Sequence, residues 1–580
     1  MEAEGNQLKL LSQRWGALKT ERSTWMGQWM EVSANLLPVN GRYFISDRNR
    51  GFKRFNNIYD STATKSLRIL SAGMMSGMTS PSRPWFRLTI TDQDLMAYQP
   101  VKVWLNAVTD LVGDVMAKSN MYRVLHTMYE ELGAFGTAAA LIAEDYNDVI
   151  RLHPFTIGEY AISTDFAGNV TTLYREFDKP VGAVVKEFGL ENCSSVVRSA
   201  YQRGALDQWV TIVHAIEPRS DRDSSKKDAL NMPWKSVYFE RASTNRKVLR
   251  ESGYKTFPCI CPRWQTVGGD IYGVSPAMEA LGDIKGLQAQ EFRKLLATDY
   301  MSNPPIQVPS SMKNRETELF PGGVNYYDAQ AGSIGIKTAY EVNLNIQALL
   351  ESQNDIRQRI NGAFFADIFM MISGQDTARM TATEVAARNE EKMLMLGPVV
   401  ERLNNELLDP LVETIFERLL TSGMLPTPPE ELEGHDLNIE YVSMLSQAQK
   451  AVATNSIDRF VGNLGQIAQL RPDVLDKFDP DHWADIYSDK LGIDPELIIS
   501  NDQVALVRQQ RAQAQQRAQQ QEAMMGASQA AKNLGQTSTQ PGTAAGDAMA
   551  NLQGQHYCLD YYFQHQAIPS VRKKQPNSKV

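Results

Sequence analysis

At 580 residues the chain is too long for one hydrophobic core, because cores stop growing near ~250 to 300 residues and longer chains divide into domains. With 43% hydrophobic and 22% charged residues it is composed like a globular protein, which excludes disorder of the whole chain. A net charge of −8 argues against a tight grip on nucleic acid, whose affinity comes mainly from Lys and Arg, but leaves room for a duplex that slides past.

The N-terminus, Met1 to Lys9, is mixed in charge, and the longest nearly apolar run, Gly133 to Ala143, is far shorter than the ~18 residues a bilayer span needs. The chain is therefore expected to be neither secreted nor membrane-spanning. Its four cysteines, Cys193, Cys259, Cys261 and Cys558, offer one close pair, spaced C-x-C in a strand-like run. That spacing fits packed, reduced thiols better than a disulfide framework, and zinc would need a second pair.

The first third reads as helical. Leu8, Leu11, Trp15 and Leu18, then Trp25, Trp29 and Val32, recur at helical spacing up to Pro38. Asp60 can cap a helix that runs along Leu67, Leu70 and Met74 to Gly77 and the turn Ser80-Pro81-Ser82-Arg83-Pro84. Two more helices follow, about 100–118 and 121–135. From Ala138 the period becomes strand-like, through Ile150, Leu152, Tyr160, Ile162, Val170, Leu173 and Tyr174, with Asp165 to Asn169 as a hairpin loop. Trp209 to Ile216, Val237 to Arg241 and Val248 to Cys261 extend the sheet, and Arg219 to Asp228 reads as a solvated loop of alternating charge.

Ser275, followed by Pro276 and Glu279, should open a helix to about Tyr300, which at ~1.5 Å per residue spans roughly 37 Å. Asn303-Pro304-Pro305 ends it. About forty extended residues, including Pro321-Gly322-Gly323, lead to a second helix, about Leu344 to Ile372, with Leu349, Ile356, Ile360, Phe364 and Ile368 as its apolar stripe. The loop Ser373-Gly374-Gln375-Asp376-Thr377-Ala378-Arg379-Met380 comes next. Thr381 and Glu384 form the capping box of a third helix, kinked at Gly397-Pro398 and Pro410. Ser446 to Val507 is a small helical region. The Gln/Ala/Arg tract Arg508 to Gln521 has helix-forming residues but no apolar face, so it is either disordered or a helix packed beside copies of itself.

No chemistry-bearing constellation stands out. The seven histidines lack ligand spacing, and Gly332 to Thr338 places Ile336 between glycine and Lys337, unlike a phosphate-binding loop. The carboxylate pairs Glu130-Glu131 and Glu390-Glu391 read as solvated helix faces. No catalytic residue, cofactor site or metal site is predicted, and the chain is not expected to be an enzyme.

Several separated stretches carry a resemblance: Tyr59-Asp60-Ser61-Thr62-Ala63, Pro81-Ser82-Arg83-Pro84-Trp85-Phe86, Met380-Thr381-Ala382-Thr383-Glu384-Val385, Leu396-Gly397-Pro398-Val399 and Glu406-Leu407-Leu408-Asp409-Pro410-Leu411. Together, over about residues 5 to 500, they resemble the head-to-tail connector (portal) family of T7-like short-tailed bacteriophages. The resemblance implies a mainly helical α+β fold: a wing over 1–274, a first stem helix over 275–300 and a clip over 301–343. A second stem helix over 344–372, a tunnel loop over 373–381, a kinked wing helix over 382–445 and a helical crown over 446–507 would follow. The tail, 508–580, is not covered.

It further implies a virion protein, assembled in the host cytoplasm, that forms a homo-oligomeric, dodecameric ring at one capsid vertex. Double-stranded DNA would pass through weakly and without sequence preference during packaging and ejection. The packaging motor (terminase), capsid and scaffolding proteins and a tail adaptor would be partners, and no membrane is involved. Another virion protein without a channel, or a nucleic-acid enzyme, remains the alternative at this stage. Trp15, Trp25 and Trp29 are candidates for subunit contacts, with ordinary core packing as the plainer reading.

Overall fold

The apolar spacing at the N-terminus folds as one helix, α1 (Glu2–Asn35), that serves two cores. Its first half lays Leu8, Leu11, Trp15 and Leu18 against a sheet, where Trp15 stacks on Tyr174 and donates to Glu176 at 3.0 Å. Its second half puts Trp29 and Val32 into the main core, where the Trp29 indole donates to the Phe135 carbonyl. Trp15 and Trp29 are 4% and 0% exposed, so the core reading holds for both.

The computed structural model describes residues 2–43, 57–92, 95–96, 98–226, 228–241, 248–302, 306–307, 337–338, 346–372, 395–432, 434–442, 460–468, 471, 473, 478–491 and 501–534. Two units divide the chain, Met1–Pro495 and Glu496–Val580.

In the first unit, α2 (Thr62–Met78), α3 (Gln99–Lys118) and α4 (Met121–Phe135) build the main core around Leu67, Leu70, Val108, Leu125 and Leu132. Between α2 and α3 runs β1 (Phe86–Ile90). β2 (Ala139–Asp145) and β3 (Val149–Phe155) form an antiparallel pair, Ala139 opposite Phe155. The hairpin β4 (Tyr160–Thr164) and β5 (Val170–Pro180) turns through Asp165 to Asn169 as expected, with Gly168 at φ +86°.

Two helices that the sequence reading did not anticipate, α5 (Val181–Phe188) and α6 (Ser195–Gln202), cover the far side of the sheet with Val184, Phe188 and Val197. β6 (Trp209–Pro218), β7 (Trp234–Glu240) and β8 (Arg250–Tyr254) complete the order β4-β5-β6-β7-β8. The expected run Val248 to Cys261 does not continue that sheet to its end. It divides, because β9 (Cys259–Ile260) pairs with β2 in a separate three-stranded sheet.

Ser275 caps the next helix as expected, accepting from the Met278 amide at 3.1 Å with Pro276 behind it. The helix is not continuous, however: α7 (Pro276–Glu279) ends at Ala280 before α8 (Leu281–Ser302). Its start is pinned by a close backbone approach. Gly136, at φ +73°, has no room for a side chain, since a Cβ would lie 2.2 Å from the Gly273 carbonyl oxygen. The Ser275 hydroxyl there donates to Ala134, the last turn of α4.

The two-residue strands β10 (Ile306–Gln307) and β11 (Lys337–Thr338) pair antiparallel, Ile306 opposite Thr338. The second long helix starts at Ile346 and breaks into α9 (Ile346–Ala363) and α10 (Ala366–Ile372). Ile356, Ile360, Phe364 and Ile368 are buried as their spacing predicts, whereas Leu349, expected on the same stripe, is only half-buried. The kink at Pro410 is a π turn, Asn404–Leu408, between α11 (Gly397–Leu403) and α12 (Asp409–Thr421). Pro410 has no amide proton to extend the regular ladder, and the wider turn absorbs the mismatch. β12 (Leu437–Tyr441) pairs with β1, Phe86 opposite Tyr441, and α13 (Pro480–Leu491) follows.

In the second unit, α14 (Asn501–Leu534) shows that the Gln/Ala/Arg tract is helical. Leu506, Val507, Met524 and Met525 are exposed along it. The chain is thus a mainly helical α+β protein.

Candidate functional site

The paired helices α8 and α9 are the elements that the sequence reading placed around the excursion. Near α2 they are joined by a charged network. The guanidinium of Arg357, on α9, donates to Asp60 Oδ2 through Nε at 2.9 Å and Nη2 at 2.8 Å, and through Nη2 to Glu291 Oε1 on α8 at 2.6 Å. Gln288 on α8 accepts from the amides of Tyr59 and Asp60 with one end of its side chain and donates to the Asp60 carbonyl with the other. Lys294 bridges onward to Glu291 and to Gln353, which is fully buried.

Burial alone would raise the Asp60 carboxyl, but hydrogen bonds from Thr62 and Arg357, with the Arg357 charge, outweigh it and hold the group below the usual carboxylate range. The sequence reading gave Asp60 only a capping role. It does accept from the Thr62 amide at 2.7 Å, and its other oxygen takes the arginine.

Past Glu291 the character of α8 changes. Phe292 is 46%, Leu295 55% and Leu296 40% exposed, and Met301 and, on α9, Leu350 add to them. Large apolar side chains exposed together at helical spacing mark an interaction surface.

A second polar centre lies under α4. Glu131, expected on a solvated face, is 2% exposed. It accepts from Asn40 and Thr156 at 2.8 Å and from the Ile157 amide at 3.2 Å. Burial pushes its carboxyl up to about 7 against those hydrogen bonds. The helical face that seemed solvated is covered by the loop after α1 and the segment after β3, which sequence spacing does not show.

At a third place, Arg263 grips Glu406 of the π turn through Nε and Nη2, at 3.1 and 2.6 Å. Beside it a cavity of about 300 Å³ is lined by Cys259, Cys261, Glu406, Glu413 and Glu417 among others. Both cysteines are buried and free, as packed thiols. His214 is buried, stacked 3.8 Å from Tyr238, and pushed down to about 3 by burial and nearby arginines, so it is a neutral core residue. Among the described residues no group of three potential ligands could hold a metal, and no helix is long and apolar enough to cross a membrane.

The predicted site residues are not among the described residues. Ser373, Gly374, Gln375, Asp376, Thr377, Ala378, Arg379 and Met380, the box Thr381 and Glu384, and Pro304, Pro305, Pro321, Gly322 and Gly323 are outside the described residues, as is Glu390-Glu391. The described structure shows the helices that lead to and from them.

A family described as bacteriophage head to tail connecting protein matches residues 8–499. The chain is 56% identical over 554 residues to the probable portal protein of Bordetella phage BPP-1, covering 95% of this chain and all of that one. It is 43% identical over 553 residues to the portal protein of Salmonella phage epsilon15, covering 95% and 99%. A chain from the neck of an empty gene transfer agent particle, computed with C6 symmetry, is similar at a TM-score of 0.32 and 11% identity, over 73% of this chain and 92% of that one. A likeness at that level carries no argument.

Proposed function

Because this chain belongs to the bacteriophage head to tail connecting protein family, we propose that it forms the ring through which DNA enters and leaves a phage head. Its portal role as a virion protein is carried by one observation above the rest, the 56% identity that runs the whole length of a portal relative.

In a closed ring each subunit meets its neighbours through two different faces. The exposed Phe292, Leu295 and Leu296 of α8 supply apolar surface for such a contact. Twelve copies are the number that the family resemblance favours. Negative-stain images of the purified protein should show rings with a central hole, and light scattering a mass many times 65.0 kDa; a monomer that persists at micromolar concentration across salt conditions would remove the ring.

Within that reading, α8 and α9 are the stem and the segment between them, about 301–343, is the clip on which the motor and the tail adaptor dock. Capsid and scaffolding proteins would contact the outer part of the ring. Ser373 to Met380 would border the channel as a tunnel loop. Arg379 is its one cation and Asp376 opposes it, so the repeated loop is near neutral and suits weak, sequence-independent passage of the duplex. A ring of unopposed arginines would instead release many counterions and bind with steep salt dependence. In a packaging assay, Asp376→Ala rings should slow at low salt and recover at high salt, where phosphate contacts are screened. Rings that lack 312–323 should package no DNA or accept no tail. Parental rates from both would remove these assignments.

A further inference from the structure

The second stem helix is bent at a residue that does not favour the bend. Phe365 sits between α9 and α10 at φ +54°, in the left-handed region that side-chain-bearing residues rarely adopt. No proline occupies the break, Ala363-Phe364-Phe365-Ala366; Gly362 lies just before it, but the positive φ falls on Phe365 and the apolar spacing of Ile356, Ile360, Phe364 and Ile368 continues through it. By sequence alone the two pieces would be one helix. The ladder is interrupted here: Phe365 donates to Gly362 rather than one turn back, and it resumes with Ile368 donating to Phe365.

Contacts outside the helix hold the bend. Phe364 is fully buried, and the Phe365 ring lies 6.3 Å from Trp264. Phe369 of α10 seats on α2 at Gly73, so closely that a Cβ on Gly73 would come within 2.2 Å of its ring. Local preference and tertiary packing therefore oppose one another at a single residue, and such conflicts cluster at switch regions.

We propose that Phe365 is a two-state hinge, with α10 either seated on α2, as seen, or in line with α9 as one continuous helix. The hinge couples the stem to the core. α9 is tied to α8 and Asp60 through Arg357, whereas α10 is tied to α2 through Phe369 and Gly73. A change in the tilt of the stem thus shifts the balance between seated and in-line α10. The proposal concerns the chain's own mechanics and does not rest on what passes through the ring.

The test is a distance measurement on full-length protein with Cys558→Ser. Spin labels at Ser352→Cys and Asp367→Cys are carried by a minority of subunits, so that no assembly holds two pairs. A straight helix would set these positions about 22 Å apart at 1.5 Å per residue; the bend makes the distance shorter. The parent should show mainly the short distance. Gly73→Ala, which evicts Phe369, and Phe365→Ala, which drops the Trp264 contact, should raise the share of the long distance at least threefold. Phe365→Gly, which drops the same contact but is at ease with positive φ, should show far less of the long distance than Phe365→Ala. Should Gly73→Ala fail to fold, the two Phe365 variants still decide. One short distance in every folded variant would make the break a fixed elbow and overturn the hinge.

Discussion

Arg357→Ala should lower the unfolding free energy of the subunit by about 1 to 3 kcal/mol, because the loss leaves the Asp60 carboxylate desolvated without its cation, while the 28% exposure of Arg357 and the Lys294 bridge to Glu291 moderate the cost. The side chains of Asp60 and Glu291 are each 9% exposed, and both aim at the one guanidinium. Without it Asp60 would keep its hydrogen bonds from Thr62 but lose its cation, whereas Lys294 would still neutralise Glu291. Arg357→Lys should recover only part of the loss, since an ammonium cannot supply the forked donors that reach Asp60 and Glu291 together. The denaturant midpoint of the variants against the parent measures this; an unchanged midpoint for Arg357→Ala would mean that α9 is held to α2 by its apolar contacts alone.

Glu131 should make stability depend on pH in the sense opposite to Asp60. Its folded pKa of about 7 lies above the usual 4.5. Its favourable contribution is therefore fully present below 4.5 and is lost as the pH rises through 7, where a buried carboxylate must carry charge. A shift of that size corresponds to about 3 kcal/mol between the two limits. Glu131→Gln does not titrate, so the difference in stability between parent and variant should drift by about that amount between pH 4.5 and pH 8. Asp60, held below its usual range, contributes above that range and is lost in acid. A parent-minus-variant difference that stays flat across this interval would show that Glu131 is already ionised in the folded protein.

Much of the fold is legible in the sequence because it is local. The stripe from Leu8 to Val32, the cap at Ser275 and the hairpin at Asp165 to Asn169 each depend on residues a few positions apart. What spacing does not reveal is long-range. Nothing near Glu131 announces that Asn40 and Thr156 will cover it, and nothing near Asp60 announces an arginine almost three hundred positions away. The break at Phe365 was illegible for the opposite reason, since the local pattern argues for a straight helix and only packing on α2 and Trp264 overrules it. The family likewise came from separated motifs in order, and no single residue of the candidate site would have given it.

The pairing of β1 with β12 has a consequence in time. Phe86 waits for Tyr441, 355 positions later, and at ~5 to 20 residues per second of synthesis that is roughly 18 to 71 s during which a strand holding the buried Phe86, Leu88 and Ile90 lacks its partner. An unpaired strand edge is a template for any other extended chain. The nascent subunit therefore spends the making of α8 and α9 with an open edge. Contacts between half-made chains on one message are the hazard of that interval, and a chain cut short before Leu437 would carry the open edge permanently.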